Sequence, residues 1–254
     1  MLSKNQIKEI QLLHLKKHRD NKKLFIVEGE KSVIEVLNFT PKIIFKLLVT
    51  SDFLLSYQTQ LIGLTENLIE ISEEELKKIS LQNNPNKVIA ICNYFNYPEA
   101  TLNFNKEFSF YLDDIRDPGN FGTIIRLADW FGVNIIFCSL SSCDLYNPKV
   151  IQASMGAFLR VRVVYCELRQ LLKSQQIDNV YGAVLNGENL YSEPLKNGLI
   201  VIGNEANGIN DYNLEFINKP ITIPSHQSNG TESLNAAMAS AIIASEFYKK
   251  NRLK

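Results

Sequence analysis

The stretch at residues 108–131 limits the fold more than any other part of this 254-residue chain. It begins as an apolar, strand-like run, FSFYLDDI, turns at Pro118-Gly119, and continues as a helical run from about Asn120. In that run Phe121, Ile124, Ile125, Ala128 and Phe131 recur at helical spacing, so one helix face is expected to be buried. A polar, glycine-containing junction at the carboxyl end of a strand is where open α/β sheets hold their ligands. Asn120 and Arg126 belong to that junction.

The same alternation continues through the second half of the chain. Strands are expected near 108–113, 134–138, 160–164, 179–184, 199–202 and 220–223. Helices are expected near 120–131, 148–155, 167–174, 211–217 and 232–250. Strand and helix in strict alternation build an α/β domain around a parallel sheet. The first hundred residues alternate as well. An amphipathic helix over 3–19 carries Ile7, Ile10 and Leu13 as its apolar stripe. Strands at 24–28, 44–49 and 87–94 and a helix at 30–37 follow, and Ser72 and Glu75 form a capping box ahead of another helix. The expected division is a small α/β domain over 1–100, a linker at 101–106 within the Pro- and Asn-containing segment 96–106, and a larger α/β domain over 107–254.

Composition narrows the classes. No apolar run approaches the roughly 18 residues of a membrane span, and the first twenty residues carry lysines without an apolar signal core, so the cytoplasm is the expected compartment. The four cysteines lack C-x-x-C spacing and are read as reduced thiols. Zero net charge argues against a bulk nucleic-acid coat. The charge is uneven, however. Residues 1–23 hold seven Lys/Arg against two acids, and the last six residues hold four Lys/Arg and no acid. Basic ends on a neutral body fit local contact with phosphates, and fit equally a solvated helix face and tail.

Two further segments carry chemistry. Residues 203–208, GNEANG, follow the apolar run LIVI. Gly and Asn tolerate left-handed backbone and let main chain approach a ligand closely. The loop lacks the Lys-Ser/Thr of a phosphate loop, and no strand is followed by G-x-G-x-x-G. It suits a neutral or zwitterionic ligand held by main-chain groups. Without such a ligand it reads as a helix-entry turn with Glu205 near a helix N-terminus. Ser233-Leu234-Asn235 opens a helix rich in small residues, where Ser and Asn also serve as ordinary caps. The segment QASMGA at 152–157 reads as close packing of small residues, and His226 as a solvent-facing loop residue.

Three ordered motifs, N-x-G-x-x-x-R at 120–126, G-x-E-x-x-G at 203–208 and I-P followed by S-L-N at 223–235, together resemble the SpoU (TrmH-like) family of RNA ribose 2′-O-methyltransferases, in the knotted SPOUT superfamily. The amino-terminal LHLKKHRDNKKLFIVEGEKSVIEVL resembles the substrate-binding domain that often precedes the catalytic one. The resemblance implies a C-terminal parallel-sheet domain with a deep trefoil knot, threaded after Gly203 and after Pro224, preceded by a small α/β substrate-binding domain. It implies a homodimer formed through the knot region. It implies methyl transfer from S-adenosylmethionine to a ribose 2′-hydroxyl without a metal. By position, Asn120, Arg126, Glu205, Ser233 and Asn235 would be catalytic, and Leu185, Gly187, Gly203, Ile223 and Leu234 would bind the cofactor. Segment 152–157 would pack near the active site. The loop PSHQSNGTES at 224–233 is longer than the commonest form and carries His226 where a small or apolar residue is usual. Ribosomal RNA is the expected substrate. A tRNA, or a non-catalytic RNA-binding role on the same fold, is the alternative.

Arg126 has two readings. As a general base it must be neutral, which from a pKa of about 12.5 costs roughly 7.5 kcal/mol at pH 7. As a cation it grips a flanking phosphate bidentately and stabilises a developing oxyanion, while the proton leaves to water, phosphate or Glu205.

Overall fold

The computed structural model describes residues 1–97, 102–226 and 233–252. Two compact units emerge, and the chain visits each of them twice. The first comprises residues 1–97 and 144–159, the second 98–143 and 160–254. Residues 98–101, at the front of the expected linker, and 227–232, in the expected long loop, lie outside the described residues.

The first unit begins with α1 (Lys4–Leu12), whose capping box pairs Ser3 with Gln6, and α2 (Lys16–Lys22). The single helix expected over 3–19 is therefore two. The break comes from Arg19, which is buried although charged. Its Nη1 donates to the carbonyls of Leu13 (3.1 Å) and His14 (2.8 Å), and its Nη2 to Asp144 Oδ2 at 2.7 Å. In a continuous helix those carbonyls would accept from the next turn. Here a guanidinium takes them, and the Asp144 carboxylate offsets the cost of burying its charge. Arg19 is thus removed from the basic residues that could meet phosphates.

Then follow β1 (Leu24–Glu28), α3 (Glu30–Phe39), β2 (Ile44–Val49), α4 (Ser51–Ser56), β3 (Leu68–Glu70), α5 (Glu73–Ile79) and β4 (Val88–Asn93). The sheet order is β1-β4-β2-β3, with β4 antiparallel to both neighbours and β3 parallel to β2. One face packs Ile26, Leu48, Ile89 and Ile91 against Ile10 and Leu13 of the first helices and Leu76 and Ile79 of α5. Ser72 and Glu75 form the capping box that starts α5. A second segment, residues 144–159, also belongs to this unit, and its helix over Pro148–Ser154 packs on β1. Around β1 an aromatic cluster includes Phe25, Phe158 and a Tyr94–Tyr146 stack with centroids 3.7 Å apart. Gly156, at φ +87°, closes this segment, where a Cβ would lie 3.0 Å from Glu35. Residues 152–157 therefore pack within the first unit.

The second unit carries β5 (Ser109–Leu112), α6 (Pro118–Trp130) and β6 (Ile135–Cys138) before that excursion, whose helix is α7. After it come β7 (Arg162–Tyr165), α8 (Leu168–Ser174), β8 (Val180–Asn189), β9 (Leu199–Ile202), α9 (Asp211–Leu214), β10 (Lys219–Thr222) and α10 (Ala236–Arg252). All six strands are parallel, in the order β10-β8-β9-β5-β6-β7. Central β5 and β9, SFYL and LIVI, are buried at every residue, as covering helices on both faces require. On one face Phe137, Val201 and Leu171 share a core with Phe104, which lies in the segment expected to link the domains. On the other, α6 buries Phe121, Ile124, Ile125 and Ala128 as its spacing predicts, while Phe131 is the half-buried C-cap. The helix α10 packs on α6, and its Phe247 meets Tyr181 edge-on. Each fully buried Phe, Ile, Leu or Val among these contributes about 1.5–3 kcal/mol of hydrophobic stabilisation.

Pro118 does not make a turn. It is the first residue of α6, where its missing N–H and fixed φ cost nothing. Asp117 is the N-cap, accepting from Asn120 N at 2.7 Å. The corner lies earlier, at Asp114, whose φ is +58°.

Candidate active site

Three loops meet at the carboxyl ends of β5, β9 and β10, where the parallel sheet offers its open edge. The first runs from Asp113 into α6. The second is the 203–210 turn after β9, and the third is the approach to α10.

Asn120 joins the three. Its Nδ2 donates to Glu205 Oε1 at 2.5 Å, and its Oδ1 accepts from Asn235 Nδ2 at 2.8 Å. Asn235 Oδ1 in turn accepts from the N–H groups of Ala237 and Met238, capping α10. This chain of amides has one direction. The helix N-terminus claims the Asn235 oxygen, so the Asn235 NH2 faces Asn120. The Asn120 oxygen is thereby used, and its NH2 faces the Glu205 carboxylate. Asn120, Glu205 and Asn235, expected as site residues from separate motifs, are thus brought together.

A cavity of about 510 Å³ opens beside this relay, within the size range of small-molecule sites. Leu185, Gly203, Ile223, Ser233 and Leu234 line it, together with Glu205 and the main chain of the 203–208 turn. Glu205 is the one charged side chain among the described lining residues. Such a lining disfavours a ligand rich in phosphate and suits one with an apolar or aromatic body and a positive centre. Gly203 is required by close approach, because a Cβ there would lie 2.2 Å from the Gly208 carbonyl carbon. Gly187 is not part of the lining. Its lack of a side chain lets β8 lie against β10, where a Cβ would fall 2.6 Å from Ile221 backbone.

Arg126 is placed differently. It is exposed on α6, and among the described residues its side chain makes no hydrogen bond or ion pair. Six residues along an α-helix turn the side chain by roughly 120° relative to Asn120 and carry it about 9 Å along the axis. Arg126 instead shares an exposed stripe with Thr123 and Trp130. His226 is exposed, as expected.

Sequence reasoning missed a brace between the first two loops. Asp113, buried at the end of β5, accepts from Asn210 N at 2.8 Å. Asn204 donates from Nδ2 to the Asp114 carbonyl at 2.8 Å. Ser139 and Ser142, after β6, accept from the N–H groups of Asp114 and Ile115. The one signal available was an aspartate directly after a buried strand, since a buried carboxylate must find donors. Beneath the loops, burial raises the Tyr111 phenol, whose O–H donates to the Cys166 carbonyl at 3.0 Å, and pushes the Cys166 thiol up to about 11. Neither group can act as a base near neutral pH.

A sequence profile of the SpoU rRNA Methylase family matches residues 107–245, and one of the MRM3-like substrate binding domain matches residues 4–90. The 23S rRNA (guanosine(2553)-2′-O)-methyltransferase RlmP of Bacillus subtilis is 28% identical over 95% of each chain. A solved TrmH-family protein of Porphyromonas gingivalis is 36% identical with a TM-score of 0.83, covering 97% of this chain and 98% of its own. The AdoMet-bound rRNA methyltransferase of Sinorhizobium meliloti is 25% identical with a TM-score of 0.86, covering 100% of this chain and 97% of its own.

Proposed function

Because the chain belongs to the SpoU rRNA methylase family, we propose that it is an S-adenosylmethionine-dependent methyltransferase acting on a ribose 2′-hydroxyl of ribosomal RNA. The observation that carries this reading is the Asn235–Asn120–Glu205 relay at the rim of a cavity whose one charged lining residue is an acid. A sulfonium cofactor with an adenine body fits that lining, and when bound it supplies an activated methyl group, so no metal is needed. Glu205 would face the positive centre or take up the proton of the 2′-hydroxyl through water. Asn120 fixes the carboxylate, and Asn235 fixes Asn120. Ser233 and Leu234 close the cavity from the third loop, while Leu185, Gly203 and Ile223 form its walls.

Arg126, open to water on a helix face, is read as a cation. It would grip an RNA phosphate and stabilise charge developing at the 2′-oxygen. It faces away from Asn120, so a second surface has to bring it to a methyl-transfer site. A homodimer through the α6 and α10 face supplies one. Trp130 on α6 and Met238 on α10 are 83% and 59% exposed and would be covered in such a dimer. The carboxyl-terminal third is read as a trefoil knot threaded after Gly203 and after Pro224. The first unit is read as the RNA-binding part, with lysines such as Lys4, Lys8 and Lys17 for phosphate contact. The cytoplasm is the proposed compartment.

The test is transfer of labelled methyl from S-adenosylmethionine to ribosomal RNA and tRNA isolated from cells lacking the gene, followed by mapping of 2′-O-methyl sites. Label at one ribosomal ribose, strongly slowed but still measurable in Glu205→Ala, is expected. Label in tRNA alone would reassign the substrate, and label in neither would overturn the reading.

A further inference from the structure

We propose that Asn204 is the positioning residue that sets both ends of the Glu205–Asn120 hydrogen bond. This rests on the methyltransferase reading for its consequence in catalysis, although the geometry stands without it. Asn204 directly precedes Glu205 and spends its whole side chain on two different loops. Its Oδ1 accepts from Ala206 N at 2.8 Å and Asn207 N at 3.2 Å, and its backbone pairs in both directions with Gly208 at 2.9 Å. Those bonds fold the 203–208 turn and aim Glu205. Its Nδ2 donates to the carbonyl of Asp114 at 2.8 Å.

Asp114 is not an ordinary residue to hold. It is left-handed, at φ +58°, and it turns the chain from β5 towards α6. An L-residue stays in that conformation when its surroundings over-determine it. Here the Asp114 N–H donates to Ser139 Oγ at 2.8 Å, its carboxylate accepts from Arg116 Nε at 2.9 Å, and its carbonyl is held by Asn204. Three residues later Asp117 caps α6, and Asn120 stands in its first turn. One amide therefore fixes the turn that presents Glu205 and the corner that presents Asn120. The two residues must meet across a sequence separation of 85. No other side chain among the described residues is bonded to both loops in this way while adjoining Glu205.

The donor and the acceptor of Asn204 can be separated by substitution. Asn204→Ser keeps an oxygen able to accept from the turn N–H groups, is neutral, and is too short to reach Asp114. Asn204→Asp keeps the full turn acceptor and loses the donor. Three readouts decide. The first is the Asn120 side-chain amide resonance in protein labelled with 15N at asparagine, referenced to its position in Glu205→Ala, which removes the acceptor. The second is single-turnover kcat beside the Kd for S-adenosylhomocysteine. The third is the cost of Asn204→Ser in a Glu205→Ala background.

The expected result is an Asn120 amide in both variants moved towards its Glu205→Ala position. A fall in kcat of roughly tenfold is expected, the size of one lost hydrogen bond at a site. Cofactor Kd should change less than about threefold, and the added cost in the Glu205→Ala background should be under about threefold, because coupled residues are not additive. An unmoved Asn120 amide in both variants, or equal costs in both backgrounds, overturns the proposal. Should the parent protein methylate no RNA, the methyltransferase reading fails, and the amide resonance still decides the positioning role.

Discussion

Replacing Asn235 by aspartate tests the directionality of the relay without disturbing the helix that carries it. In the native chain Asn235 Oδ1 accepts from Ala237 N at 3.0 Å and Met238 N at 3.2 Å, and Nδ2 donates to Asn120. Aspartate keeps an oxygen for the cap, at a helix N-terminus that favours negative charge. It replaces the donor with a second oxygen. Asn120 then stands between two carboxylates with one NH2 and one carbonyl. Whichever way its amide turns, an oxygen faces an oxygen. Asn235 is exposed, so the loss is about the net worth of one hydrogen bond, about 0.5–1.5 kcal/mol, which at 1.36 kcal/mol per decade is about 2- to 13-fold in kcat. Asn235→Ala loses the cap as well, about 0.5–2 kcal/mol of stability, and each kcal/mol lowers Tm by about 2–4 °C for a domain of this size. Single-turnover methyl transfer at saturating cofactor and calorimetric melting measure the two quantities. Asn235→Asp should melt with the parent and transfer slowly, while Asn235→Ala should melt early. Transfer at the parental rate in Asn235→Asp, or a Tm as low as that of Asn235→Ala, would refute the directional relay.

Gly203→Ala should reduce cofactor affinity by roughly tenfold or more in calorimetric titration, because its methyl meets Gly208 backbone that cannot retreat; unchanged affinity would detach this turn from the cofactor. Arg126→Ala should abolish methylation while cofactor affinity stays within a few-fold, and Arg126→Lys should fail too, because an ammonium cannot form the planar fork. Substantial activity of Arg126→Lys above about pH 9 would favour the base reading over the phosphate clamp. The N–H groups of Ser72 and Leu2 hold the Glu75 carboxyl below its ordinary range. Its stabilisation is therefore complete above the unfolded pKa and is lost as pH falls through the lower folded value. Glu75→Gln should lower Tm near pH 7, and the difference should close as the pH drops below about 4; a difference that persists in acid would contradict this.

The elements whose signals are local were legible in sequence. The strands β5 and β9 lie in largely apolar runs, α6 shows its buried face in residue spacing, and Ser72 with Glu75 marks the start of α5. Where the reading went astray, a distant partner decided. The amino-terminal helix has an uninterrupted amphipathic pattern, yet Arg19 breaks it by finding Asp144, 125 residues away. Pro118-Gly119 has the composition of a turn, but with Asp117 bonded to Asn120 N it starts a helix instead. The corner falls at Asp114, one of the few non-glycine residue types that tolerate left-handed backbone, and Asn204 and Ser139 hold it in place. Residues 144–159 carry no compositional mark of belonging with the first unit, because apolar helices look alike whichever core they serve.

Motif order singled out Asn120, Glu205 and Asn235 as candidates, but not that they bond in a line, since hydrogen bonds spanning 85 and 115 residues leave no periodic trace. The displacement of Arg126 was different, because it was calculable. At about 100° per residue, a spacing of six places two side chains on separate helix faces. An Asn and an Arg so spaced on one helix cannot both line one small cavity, however closely they follow in the motif. The spacing therefore required two surfaces from the start: one turned inward to the Glu205 carboxylate, the other outward beside Trp130. A site using both needs RNA or a second copy of the chain to bridge them.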